Sequence, residues 1–138
     1  QRNPEHTYAM GGTYTVTLTV TSAHGTNTGQ ALHLMQVTQT KPVADFVLPP
    51  GPLLAGVQNP VQFTDTSNPG TSAITKWAWN FGDGSTSTEQ HPSHAYIDAV
   101  DGGYDVTLTV TTPHGTSSVT KKVLIEERAP QANFTVSD

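Results

Sequence analysis

Eleven Asp and Glu residues and six His are the side chains here best suited to hold a metal or move a proton, and no Cys is present to add a thiolate or a disulfide. His91 and His94 stand three apart but flank Pro92, and no third ligand is spaced to complete a tetrahedral zinc site. Asp83 lies in a Gly-Asp-Gly turn, and Asp98 and Asp101 lie in the loop "IDAVDGG" (97–103). Loop carboxylates are the hard oxygen ligands that Ca²⁺ takes, so these three are the calcium candidates, with none of the regular spacing of a dedicated calcium loop. The competing expectation for Asp83 is local capping of its own turn. No Gly-x-Ser-x-Gly, no His-Glu-x-x-His and no framed pair of carboxylates appears, and "GDGS" (82–85) is too little for a phosphate loop. The chain therefore reads as no enzyme, with Ca²⁺ as its one candidate cofactor.

Two further patterns concern surfaces. In "WAWNF" (77–81) the aromatic residues Trp77, Trp79 and Phe81 fall at every second position, so they share one side of a strand. A row of that size belongs in a core, and Trp77, nearest the strand's start, is the candidate for a rim position and a ligand contact. "TYTVTLTVT" (13–21) places five Thr on one face, a spacing that suits ice or O-linked glycans but also any wet β-face. Asn133, in "NFT", is the candidate glycosylation site.

The elements that must position these residues are strands. Charged residues are only 12% of the chain, and Thr, Val and aromatics alternate between Gly and Pro. The net charge is −5 with no basic run, which argues against nucleic acid, and no apolar stretch is long enough to insert in a membrane. The alternation predicts strands at 44–46, 61–67, 76–81, 85–88, 104–112 and 118–127, with "TPHGT" (112–116) as a hairpin turn. In the strand 104–112, Tyr104, Val106, Leu108 and Val110 share the dry face.

The chain also repeats itself. "NPEHTY" (3–8) returns as "HPSHAY" (91–96), "YTVTLTVTSAHGT" (14–26) as "YDVTLTVTTPHGT" (104–116), and "KPVADF" (41–46) as "APQANF" (129–134). The register divides the chain into 1–40, the second half of a repeat; 41–128, a complete repeat; and 129–138, the first strand of another. Six or seven short strands in each repeat predict an all-β, immunoglobulin-like antiparallel β-sandwich in tandem array.

"WNFGDGS" (79–85), "HPSHAY" (91–96), "GGYDVTLTV" (102–110) and "HGT" (114–116) together resemble the successive motifs of the polycystic-kidney-disease (PKD) domain. The resemblance makes Trp79, Asn80, Phe81, Gly82, Asp83, Gly84, Pro92, His94, Tyr96, Gly103 and Tyr104 the structural motif residues. It implies a core role for Trp79 and Phe81 and a hydrogen bond from His94 to loop backbone. Asn80 departs from the family's usual Asp, which removes a charge from any cation site drawn there. The resemblance further implies an extracellular, non-catalytic module, found in tandem on microbial surfaces and beside the catalytic domains of secreted hydrolases.

Two roles follow as expectations. One is a spacer, stalk or filament and adhesion segment at the cell surface, partnered by neighbouring repeats of the same chain or by like chains in a filament. Pro42 and Pro130 stiffen the short junctions "QTKPVADF" and "EERAPQANF". The other is an accessory module of a secreted hydrolase that holds insoluble polysaccharide or protein matrix through Trp77. The half-repeat 1–40 is expected to expose the Tyr14–Val16–Leu18–Val20 face unless a missing half upstream, or a neighbouring chain, completes it.

Overall fold

Strict alternation of large apolar and short polar side chains from Tyr104 to Thr112 makes a strand with one dry and one wet face. In the computed structural model, which describes residues 2–30 and 35–127, this strand centres the second of two units, divided after Thr40. The first unit holds β1 (Gly12–Tyr14), β2 (Thr17–Ser22), β3 (Gly25–Gln30) and β4 (Met35–Val37). The second holds β5 (Phe46–Val47), β6 (Val61–Gln62), β7 (Thr64–Asp65), β8 (Lys76–Asn80), β9 (Thr86–Ser87), β10 (Ser93–His94), β11 (Tyr104–Thr112) and β12 (Gly115–Val123). The fold is all-β: strand pairs are antiparallel, and no helix occurs among the described residues.

In the second unit a four-stranded sheet runs β12-β11-β8-β9, and the short ribbons β5-β7 and β10-β6 complete the fold. Phe46 and Phe63 from the ribbons meet Trp79 and Phe81 from β8 and its following turn, with Val106, Leu108 and Val110 on the same core. Ring centroids lie 5.1 Å apart for Phe46–Trp79, 5.6 Å for Phe63–Trp79 and 5.2 Å for Phe63–Phe81. These are the separations of favourable aromatic pairs.

Three strands differ from the sequence expectation. The segment 61–67 changes partner at Phe63: Val61–Gln62 pair with β10 and Thr64–Asp65 with β5. Pro92 offers no N–H with which β10 could extend its ladder, so pairing with β6 stops there. The opening strand is Phe46–Val47 rather than 44–46: just before it the Asp45 N–H is taken by Ser67 Oγ at 3.1 Å, and pairing reappears only as a single bridge between Val43 and Asn68. The last strand runs 115–123 rather than 118–127. The wet face of β11 and β12 is tied by neutral hydroxyl pairs, Thr107–Thr120 at 2.8 Å and Thr109–Ser118 at 2.7 Å.

The first unit repeats parts of this design. Its β2–β3 hairpin pairs Leu18 with Gly29 and Ser22 with Gly25, the register of Leu108 with Val119 and Thr112 with Gly115. Its wet face is also tied by hydroxyl pairs, Thr19–Thr28 at 3.1 Å in the place of Thr109–Ser118, and Thr21–Thr26 at 3.3 Å. His6, Tyr8 and Tyr14 pack edge-on and then tilted, at 4.6 and 4.2 Å, where His94, Tyr96 and Tyr104 pack edge-on and then stacked, at 4.7 and 4.3 Å. The Tyr14 hydroxyl donates to the Met10 carbonyl at 2.7 Å, as Tyr104 donates to Asp98 at 2.8 Å.

Candidate functional site

After β8 the chain reverses through two consecutive side-chain-capped turns. Asn80 Oδ1 accepts the Gly82 N–H and Asp83 Oδ1 accepts the Ser85 N–H, each at 2.9 Å. Asn80 thus caps its turn as a neutral amide, and no charge is needed there. Gly82 has φ +84°, and an added Cβ would lie 2.8 Å from the Asp105 carbonyl oxygen, so glycine lets this turn lie directly on β11.

The other oxygen of Asp83 reaches His94 Nε2 at 2.7 Å. The His94 ring stacks on Phe81 at 4.2 Å and 9°, and the buried Tyr96 hydroxyl donates to the Phe81 carbonyl at 3.1 Å. His94 therefore sits in strand β10 and bonds a carboxylate, rather than sitting in a loop and bonding backbone. The expectation missed this because its partner lies eleven residues away in another turn. Burial pushes the Asp83 carboxyl up, but the Ser85 N–H and the His94 ring outweigh it and leave the group below the ordinary carboxylate value.

The fold therefore favours ionised Asp83. That contribution is present above the ordinary carboxylate value and is lost as pH falls through the lower value in the fold. Asp83→Asn is expected to lower the urea midpoint near neutral pH, with the gap to the unsubstituted chain closing between about pH 5 and about pH 2. A gap that stays constant across that range would show that the charge on Asp83 contributes nothing.

The three calcium candidates are not gathered. Asp83 is engaged by Ser85 and His94, Asp98 offers its backbone carbonyl to Tyr104, and Asp98 and Asp101 are exposed in their loop. Among the described residues no three His, Cys, Asp or Glu are grouped to hold a metal. His91 turns away from His94 and accepts the Asp65 N–H on Nδ1 at 3.1 Å. Of the other motif positions, Pro92 is buried, Gly84 takes φ +93° and Gly103 φ +72°. Asn133 lies outside the described residues.

Trp77 is half-buried and lines an open groove of about 310 Å³. Pro69, Ala73 and Ile74 form its apolar wall, and Asp65, Ser67 and Gln90 its polar one. Asp65 organises the polar side: its Oδ2 accepts the Trp77 indole N–H at 2.7 Å and the Gln90 amide at 3.2 Å, and its Oδ1 accepts the Ser67 N–H at 3.0 Å. Burial pushes the Asp65 carboxyl up, and the donors Ser67, Trp77 and Gln90 more than reverse it. The indole is thus held in place by a charged acceptor, with a mostly apolar groove beside it. Asp65 and Gln90 were not anticipated. The available signal was parity, since Asp65 follows the buried Val61 and Phe63 at every second position and is the polar intruder on that face.

Comparison with known proteins places this geometry. The family model described as PKD domain matches residues 1–37 and 39–126. The chain is 34% identical over 84 residues to Collagenase ColA of Bacillus cereus, and 40% identical over 95 residues to Pre-pro-metalloprotease PrtV of Vibrio cholerae. Those alignments cover 60% and 67% of this chain but only 8% and 10% of the relatives, so the chain spans about a tenth of their length. Among solved structures it is similar to the PKD1 domain of Vibrio anguillarum Epp, with a TM-score of 0.56 and 33% identity over 66% of this chain and 100% of that one. It is also similar, with a TM-score of 0.58 and 26% identity, to a structure addressing the promiscuous specificity of carbohydrate-binding modules of the β-sandwich superfamily, covering 66% of this chain and 36% of that one.

Proposed function

The chain belongs to the PKD domain family, and from that premise we propose that it is a non-catalytic spacer segment of an exported, multi-domain microbial protein. One observation carries this reading: the family model matches residues 1–37 and again 39–126, so one module follows another along the chain with no other domain between them. Repetition of this kind multiplies length without adding new chemistry. The relatives named as a collagenase and a pre-pro-metalloprotease support an extracellular setting, with the catalytic work done elsewhere in the polypeptide.

The groove beside Trp77 favours a second reading, an accessory module that holds insoluble substrate for an attached hydrolase. An indole fixed by Asp65 beside Ile74 and Pro69 suits a flat apolar ligand face, whether the carbon face of a sugar ring or a prolyl ring. A depletion assay with the 1–138 chain on chitin, cellulose and fibrous collagen separates the two readings. The spacer reading expects the chain to stay in the supernatant with all three. Retention on one of them that Trp77→Ala abolishes, with the fold intact, would replace it by the second reading.

A further inference from the structure

The sequence holds two Asp-Gly pairs, Asp83-Gly84 and Asp101-Gly102, and the fold treats them differently. The backbone offers both the same freedom. Gly84 has φ +93° and Gly102 φ +80°, and around each the space a Cβ would take is open. The side chains differ. Both Asp83 oxygens are held: Oδ1 accepts the Ser85 N–H at 2.9 Å, and Oδ2 meets His94 Nε2 at 2.7 Å. Asp101 is exposed, and its carboxylate has no partner among the described residues. Its turn is closed instead by the Gly103 N–H, which donates to the Val100 carbonyl at 2.9 Å. The Gly102 N–H has no acceptor among the described residues.

A free carboxyl beside a glycine nitrogen is the arrangement in which an aspartyl residue closes on its own backbone, since glycine puts no Cβ in the path of attack. We propose that Asp101-Gly102 is a site of spontaneous isoaspartate formation in the folded protein, while Asp83-Gly84 is protected by the clamp of Ser85 and His94. In the first step the Gly102 nitrogen bonds to Asp101 Cγ. The carboxyl hydroxyl leaves with the Gly102 amide proton as water, giving a succinimide ring. Water then adds to the Asp101 main-chain carbonyl carbon, and the bond from that carbon to nitrogen breaks. The chain now runs on through Cγ, and the former main-chain carbonyl is a free carboxylate. Nothing is oxidised or reduced, and water is the only co-reactant. Ring closure starts from the protonated acid. Burial raises the Asp83 carboxyl, but the Ser85 N–H and the His94 ring lower it further, which disfavours that form at 83.

The product matters to the fold because an isoaspartyl link adds a methylene to the main chain inside a closed turn. The bond between Val100 and Gly103 spans that link, and Gly103 lies so close to Val123 that a Cβ would stand 2.5 Å from its carbonyl oxygen. The same loop places the Ala99 N–H on Glu127 Oε1 at 2.9 Å and the Asp98 carbonyl under the Tyr104 hydroxyl at 2.8 Å. Isomerisation at 101 therefore loosens the entry to β11 and its first rung with β12, Tyr104 against Val123. The corresponding loop of the first unit, "AMGG" (9–12), contains no Asp, so the weak point belongs to the second unit.

The test ages the 1–138 chain at neutral pH, folded and in urea. Isoaspartate is located by electron-transfer fragmentation of the tryptic peptide between Lys76 and Lys121, which spans both pairs. In the folded chain the product at 101 is expected to exceed that at 83 by ~10-fold or more, because two charge-assisted bonds must break before Asp83 can turn. In urea the two sites should react at similar rates, and Gly102→Ala should suppress the product at 101 in both conditions. Amides of Ala99 and Gly103 should exchange faster in the aged folded chain, with Val106, Leu108 and Val110 unchanged. No isoaspartate at 101 in the folded chain, or equal amounts at 83 and 101, overturns the proposal. So does a preference for 101 that persists in urea, since the clamp on Asp83 would then not be its cause. Unchanged exchange at Ala99 and Gly103 in the isomerised chain would overturn the loosening of the loop.

Discussion

Trp79→Ala in the 1–138 chain is expected to destabilise the second unit by about 3–5 kcal/mol, the cost of emptying a large aromatic core site. Trp79 is 2% exposed and lies between Phe46, Phe63 and Phe81, so its removal opens a cavity that three rigid rings close poorly. It also strands the Glu89 carbonyl, which accepts the indole N–H at 2.9 Å. Trp77→Ala, at the half-buried groove, should cost no more than about 2 kcal/mol, since less area returns to water and Gln90 still reaches Asp65. Urea midpoints of the two variants, measured at one pH, give the comparison. Equal and mild losses would mean that the aromatic cluster does not organise the core.

Gly103→Ala is expected to be comparably severe, at roughly 3 kcal/mol or more, because it combines a strained backbone with a clash. At Gly103 φ is +72°, and a Cβ would stand 2.5 Å from the Val123 carbonyl oxygen and 2.9 Å from Leu124 Cδ2. The neighbouring Gly102 has nearly the same φ, +80°, but open space around it. Gly102→Ala should therefore cost only about 1 kcal/mol, the backbone component by itself. Thermal melts of the pair separate conformation from space within two adjacent residues. Similar losses for both would show that the contact with Val123 yields readily.

Long alternating segments were the legible part of the fold. The strand 104–112 and its hairpin follow from parity and from the turn before Gly115, and the structure places Val106, Leu108 and Val110 in the core as that parity requires. Two-residue strands are another matter. Ser93–His94 and Val61–Gln62 are too short to show a period, and their pairing is set by where Pro92 and Phe63 fall in three dimensions. The site was legible in pieces. Trp77 was found from its place in the aromatic row, and the Asp83 turn from its glycines. The carboxylate that holds the Trp77 indole and the one that meets His94 come from segments twelve and eleven residues away, and no local pattern encodes such pairs.

The hydroxyl pairs on the wet faces of both hairpins have a consequence for how each hairpin responds to salt. On β2 and β3 these ties are neutral and offer mobile ions nothing to screen, whereas on β11 and β12 the same face also carries the exposed Asp105–Lys122 ion pair at 2.9 Å. The cross-strand ties of the first hairpin are accordingly indifferent to ionic strength, while in the second hairpin rising salt weakens the Asp105–Lys122 contribution and leaves the hydroxyl pairs unchanged.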